Sequence, residues 1–219
     1  MTEADKNTNL REKDEVSDFL SHLSQGRVCA HPTDTIPGLT CDPRNAKALQ
    51  SLEEIKKRTQ KKAFVGLVPS LDRALDFWEP LPEFWRVLLN KIWPQSISFV
   101  WKARTNVPAC LLSESGELAL RYPRLDPEAE WYYQLMNELD TPLPSTSINY
   151  EGQPPISSIP ELEEFCKQHS VYVPKDLPSH SGKGASSVLR IIDEDRFEWL
   201  RVGAFSEEEF DRIYSSLKK

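Results

Sequence analysis

Apolar residues recur along this chain at two periods. Val16, Phe19, Leu20 and Leu23 fall at helical spacing and stop before Gly26, which predicts a first helix. The run 27–31 reads as a strand, and the stretch 32–43 that follows holds Pro32, Pro37 and Pro43 among polar residues, too broken to continue as one. Asn45 stands where it can cap a helix that turns Ala48, Leu49, Leu52 and Ile55 to one side. A continuous apolar run over 63–68 reads as a buried strand. Helices are then expected at 70–77 and around Phe84, Trp85, Leu88, Leu89 and Ile92, followed by strands at 96–101 and 117–122. A helix over 127–139, a strand over 143–147, a helix over 159–168, strands at 171–173, 187–192 and 196–202, and an acidic helix from 206 complete the pattern. Strands and helices alternate without a repeat or a change of composition, so the fold class is α/β, with 13–219 as one domain and 1–12 as a polar, disordered tail.

Composition narrows the chemistry. Hydrophobic residues make up 39% and charged residues 28%, enough apolar content for a core. No apolar run approaches the roughly 18 residues that span a bilayer, and the first residues are charged where a secretory leader would be apolar; a cytoplasmic protein is expected. Only 8 glycines stand against 17 prolines, and the nearest approach to a phosphate loop, around Gly182-Lys183-Gly184, lacks the spacer that a P-loop requires. The net charge is −7, yet Lys56, Lys57, Arg58, Lys61 and Lys62 crowd five positive charges into seven residues, leaving −12 for the rest. Such a cluster is either a solvated helix end or a site for a polyphosphate.

Cys29, Cys41, Cys110 and Cys166 form no C-x-x-C pair and read as free thiols, and the four histidines show no metal-binding spacing, so no metal ligand is assigned. His31, where a strand ends, either packs or faces a site. There is no G-x-S-x-G elbow and no Cys–His signature, so covalent catalysis is not indicated. Three expected strands instead end in hydroxyls, amides or arginine: Thr33-Asp34-Thr35, Arg121, and Ser145-Thr146-Ser147-Ile148-Asn149. Taken singly, each also suits a turn, a cap or a surface residue. Together with the lysines they suit a reaction in which the protein positions a substrate's own nucleophile and neutralises charge.

In order along the chain, these segments resemble the YrdC family of threonylcarbamoyl-AMP synthases. The resemblance is carried by Pro32-Thr33-Asp34-Thr35 with Cys41-Asp42-Pro43, Lys56-Lys57-Arg58 with Lys62, Trp93-Pro94, Leu118-Ala119-Leu120-Arg121-Tyr122-Pro123, Ser145-Thr146-Ser147-Ile148-Asn149 with Gly152 and Pro154, Ser186-Ser187-Val188, and Leu200-Arg201-Val202-Gly203. It spans 27–204. Pro37, Thr59, Gln95-Ser96-Ile97-Ser98 and Glu151 depart from the family pattern.

The resemblance implies a twisted mixed open sheet with flanking helices around a positively lined pocket. It also implies an activity: bicarbonate and L-threonine give N-carboxythreonine, which attacks the α-phosphate of ATP in the presence of Mg2+ or another divalent metal. Threonylcarbamoyl-AMP and pyrophosphate result, and tRNA is met through a threonylcarbamoyl-transferase partner. By position, Lys56, Arg58, Lys62, Ser147, Asn149 and Arg201 are expected at ATP, and Thr33, Thr35, Arg121, Ser145, Ser186 and Ser187 at threonine. None is expected to act as a nucleophile. A divergent nucleotide- or RNA-binding protein and a carbamoyl-AMP-forming relative are the alternative readings.

Overall fold

The computed structural model describes residues 3–57, 62–156, 158–175, 177 and 184–218, with side chains from residue 12 onward. The chain runs α1 (Glu3–Ser24), β1 (Cys29–His31), β2 (Gly38–Thr40), α2 (Ala46–Lys56), β3 (Val65–Leu67), α3 (Leu71–Leu75), α4 (Glu83–Ile92), β4 (Ile97–Lys102), β5 (Glu117–Arg121), α5 (Trp131–Asn137), β6 (Leu143–Ser147), α6 (Ile159–Gln168), β7 (Ser187–Ile191), β8 (Phe197–Arg201) and α7 (Glu207–Leu217). Among the described residues the strands make one eight-stranded sheet in the order β1-β2-β6-β3-β5-β4-β7-β8. Two of its pairings, β3 with β5 and β4 with β7, are parallel and the rest are antiparallel, so the sheet is mixed, as expected.

Successive strand residues serve different layers. Cys29 joins a buried cluster built with α1 and α5, whereas Ala30 joins the larger cluster built with α2, α4, α6 and α7. Strand side chains alternate faces, so helices cover both sides of the sheet. The helix ends are specified locally. Asn45 caps α2 by accepting from the Lys47 and Ala48 amides at 3.1 Å, and Lys57 closes that helix in the left-handed region at φ 52°, its amide bonded to Glu53 and Glu54 carbonyls. Ser206 and Glu209 form a reciprocal capping box at the start of α7.

Four expectations are corrected. The helix α1 begins at Glu3, inside the stretch read as a tail; no proline or glycine precedes Gly26 to stop a helical run. Within 32–43, the three residues Gly38–Thr40 do form a strand, buried on both faces and too short to show alternation. The segment 127–139 divides into a single 3-10 turn, Pro127–Ala129, and α5. Around 171–173 only one bridge forms, Cys29 with Tyr172, because Ser170 just before it is in the left-handed region and Pro174 follows.

Phe19 locks α1 in place: it is fully buried, with Trp131, Tyr132 and Tyr172 ring centroids 5.6, 5.8 and 5.8 Å away. Phe19→Ala is expected to destabilise the fold by about 3–5 kcal/mol, read as a lower urea midpoint. A loss below about 1 kcal/mol would mean that α1 does not pack as described.

Candidate functional site

Strand ends converge on a cleft of about 370 Å³. The β1–β2 connection supplies Thr33 and Thr35, the entry to β3 supplies Lys62, the end of β5 supplies Arg121, the end of β6 supplies Ser145 and Ser147, and Ser186 and Arg201 come from the β7–β8 side. Eight expected site residues are thus brought to one cavity.

The β1–β2 connection takes its shape from its own hydroxyls. Thr33 Oγ1 donates to the Ile36 carbonyl at 2.7 Å and accepts from the Thr35 amide at 3.1 Å. This presents Asp34 to Arg121, with which it forms a buried ion pair, while Ser96 Oγ donates to the other carboxylate oxygen at 2.6 Å. Arg121 also donates to Thr35 Oγ1 at 3.0 Å, and its Nε, buried, has no hydrogen-bond partner among the described residues. Burial lowers the guanidinium from the usual arginine value and Asp34 opposes that shift, so a cation is held at low solvent access. Asp34 lies in the strand-end segment Thr33-Asp34-Thr35 marked in the sequence but is given no role of its own there, and Ser96 is marked only as a departure from the family pattern.

On the opposite wall Arg201 donates from Nε to the Ser186 carbonyl at 2.9 Å and from Nη2 to Ser186 Oγ at 3.3 Å. Burial lowers its pKa, and the charge of Arg121 lowers it further; the two arginines repel across the cleft. Gly203 permits this wall, since a Cβ there would lie 2.2 Å from the Ala185 carbonyl oxygen. Ser187, by contrast, is turned into the fold: its hydroxyl donates to the Phe205 carbonyl at 2.6 Å and accepts from the Gly203 amide at 2.7 Å.

Lys56 and Asn149 also stand behind the lining. The buried Lys56 ammonium donates to the Ser147 carbonyl at 2.6 Å and to Asn149 Oδ1, and Ser147 Oγ donates to the same Oδ1 at 2.6 Å. The loop after β6 is closed by the Lys56 carbonyl, which accepts from the Glu151 amide at 2.8 Å, and by Lys57, whose Nζ lies 3.9 Å above the Tyr150 ring. Glu151, the carboxylate that departs from the family pattern, lies 3.7 Å from Lys62. Arg58, expected at ATP, falls outside the described residues.

His31 is fully buried against the cleft. Its Nδ1 faces the Pro32 carbonyl at 3.0 Å, its Nε2 faces Ser145 Oγ at 3.0 Å, and its ring stacks on Tyr132 at 5.3 Å and 5°. Burial pulls its pKa from 6.5 down to about 4. The thiols are no better suited to nucleophilic work, since burial pushes Cys110 and Cys166 up to about 11.

A mixed open sheet whose strand ends carry two arginines, a lysine and a ring of hydroxyls defines an α/β domain with a positively lined cleft. The family model for the Sua5/YciO/YrdC domain, described as "Telomere recombination", matches residues 21–203, and the chain belongs to this family. The chain is 31% identical over 151 residues to the threonylcarbamoyl-AMP synthase of Blochmanniella pennsylvanica, covering 68% of this chain and 76% of that one. It is 29% identical over 186 residues to the threonylcarbamoyl-AMP synthase of Vibrio campbellii, covering 84% and 96%. In three dimensions it resembles P. abyssi Sua5 complexed with L-threonine, with a TM-score of 0.77 and 20% identity over 90% of this chain. It spans 56% of that longer protein.

The buried histidine gives the cleft a defined acid response. Because the folded-state pKa is depressed, the unfolded chain binds a proton that the folded chain refuses as pH falls from about 6.5 to about 4. Stability contributed by neutral His31 is therefore lost across that window, by about 3 kcal/mol in full. The urea-midpoint gap between wild type and His31→Phe is expected to move in favour of the variant between pH 7 and pH 4. A gap that stays constant with pH would contradict the assignment.

Proposed function

We propose that this chain is a threonylcarbamoyl-AMP synthase, forming threonylcarbamoyl-AMP and pyrophosphate from L-threonine, bicarbonate and ATP. The observation that carries the reading is the single cleft in which Thr33, Thr35, Arg121 and Ser145 face Lys62, Ser147, Ser186 and Arg201. The named relatives support it, being threonylcarbamoyl-AMP synthases that this chain matches over most of their length.

Each side chain then has a task that its chemistry suits. Arg121, with its unengaged Nε, holds the threonine carboxylate, and Thr33, Thr35, Ser145 and Ser186 surround the amino acid with hydroxyls. Lys62, Arg201 and Arg58 hold the phosphates. Ser147 meets the nucleotide, and Lys56 and Asn149 serve that end by fixing the loop on which Ser147 sits. The threonine amine adds to the carbon of bicarbonate with loss of water to give the N-carboxylate. A carboxylate oxygen then attacks the α-phosphorus, the bond to the bridging oxygen breaks, and pyrophosphate leaves with its charge met by the lysine and arginines. The protein positions the reactants and neutralises charge; no side chain forms a covalent bond.

Among the described residues no group of three or more His, Cys, Asp or Glu side chains could cage a metal ion. A divalent ion such as Mg2+ would be brought in with the nucleotide as part of the substrate and would supply charge neutralisation beside Lys62 and Arg201. No helix of the described residues is long and apolar enough to cross a membrane. The product is short-lived acyl phosphate chemistry that a tRNA-modifying transferase in the cytoplasm would consume, and this acidic chain meets tRNA through that partner.

Purified protein given ATP, L-threonine, bicarbonate and Mg2+ is expected to release pyrophosphate only when all are present. Release that needs carbamoyl phosphate and no threonine would instead assign the carbamoyl-AMP reaction. Salt-sensitive RNA binding without turnover would assign a binding protein. Arg121→Ala is expected to raise the KM for L-threonine at least tenfold, because it removes a charged hydrogen-bonding partner, and Arg201→Ala to raise the KM for ATP by a similar factor. Unchanged KM values would remove those two roles.

A further inference from the structure

Among the described residues, His31 is a buried titratable group beside the cleft for which the proposed reaction supplies no task. Its surroundings fix what it can do. The Pro32 carbonyl can only accept, so the ring nitrogen facing it at 3.0 Å carries the proton. The other nitrogen, 3.0 Å from Ser145 Oγ, is then an acceptor, and the Ser145 hydroxyl must donate to it. The ring reaches Ser145 by crossing Gly38, the residue paired with His31 between β1 and β2: a Cβ at Gly38 would lie 2.3 Å from His31 Nε2 and 3.1 Å from Ser145 Oγ. The stack on Tyr132 holds the ring plane from the other side. Position, tautomer and approach are thus each determined by a separate neighbour.

We propose that His31 is a positioning residue for the amino-acid end of the cleft: by accepting the hydrogen bond of the Ser145 hydroxyl, it leaves that oxygen only lone pairs to present to a ligand. Ser145 is then a fixed acceptor, one that selects an amine or hydroxyl donor of an amino-acid substrate and disfavours a ligand acceptor at the same point. The inference rests on the threonine reading for the identity of that substrate. The geometry also resembles a serine–histidine nucleophile, but the surroundings oppose that use. Proton transfer would create an imidazolium in a fully buried site beside the Arg121 charge, with only the Pro32 carbonyl in its support. A histidine so placed keeps the serine oriented without deprotonating it.

Two measurements test this on the full chain. Long-range 15N–1H spectra of the wild type are expected to show His31 as the Nδ1–H tautomer at pH 6 to 8, with a Nε2 resonance that moves in Ser145→Ala. A Nε2–H tautomer, or an imidazolium at pH 6, overturns the proposal. Calorimetric titration with L-threonine is expected to give about tenfold weaker binding for His31→Phe, which keeps the ring and removes the acceptor, with ATP binding unchanged. The double variant His31→Phe/Ser145→Ala should bind no more weakly than Ser145→Ala alone, since both changes break the same His31–Ser145 hydrogen bond. Additive losses, or equal losses for ATP, mean a structural effect and overturn it. A wild type that binds no L-threonine overturns the synthase reading and the substrate named here, whereas the tautomer decides the His31–Ser145 pair by itself.

Discussion

The cleft depends on one buried ion pair, Asp34 with Arg121. Both side chains are nearly inaccessible, at 8% and 7% exposure, and removing either would leave the other buried charge without its ion-pair partner, at a cost of about 3–5 kcal/mol. The pair ties the end of β5 to the connection 32–37, which belongs to no strand. Ser96, just ahead of β4, donates to the same carboxylate and so brings a third element to the junction. Thr33 and Thr35 face the cleft because this junction sets the course of the chain that carries them. Asp34 offsets the charge of Arg121. Arg201 repels Arg121 across the cavity, so an anionic ligand is the natural complement of this arrangement.

The nucleotide end is organised by a different device. Lys56 looks, in sequence, like a phosphate ligand, and in the structure its ammonium is turned to the Ser147 carbonyl and Asn149. A buried ammonium needs acceptors, and the Ser147 carbonyl and the Asn149 amide oxygen serve as such with no loss of positive charge near the cleft. The result is a lysine that shapes the loop through hydrogen bonds and contributes to the site through its field. Glu151 fits the same picture: the added carboxylate lies beside Lys62, so the pair brings no net negative charge to the cavity mouth.

The fold class and most elements were legible because their signals are periodic: helical spacing in α1, α2 and α4, and short apolar runs in β3, β4 and β5. What was not legible was short or set by distant partners. Gly38–Thr40 pairs with β1 on one side and β6 on the other, and a three-residue strand specified by two neighbours leaves no alternation to detect. The clustering of Thr33, Arg121, Ser145, Ser147 and Arg201 followed from ordered motifs. The distinction between lining and supporting residues did not, because Ser186 and Ser187 are adjacent serines that the strand pleat sends to opposite sides. His31 was ambiguous for the same reason: at a strand end, sequence does not say which neighbour a ring will meet.

Glycine scarcity gains a physical meaning from these contacts. A phosphate loop uses glycine so that backbone amides can approach a ligand, and this chain has too few for that purpose. Two of its glycines are instead placed where one part of the protein must approach another. Gly203 lets backbone pass backbone beside Arg201, and Gly38 lets an imidazole cross a strand to reach Ser145. Both put a side chain where it can be held by its neighbours before a ligand arrives. Binding through side chains so fixed requires little reorganisation when charge develops, which is the condition under which arginine and lysine lower a barrier most effectively.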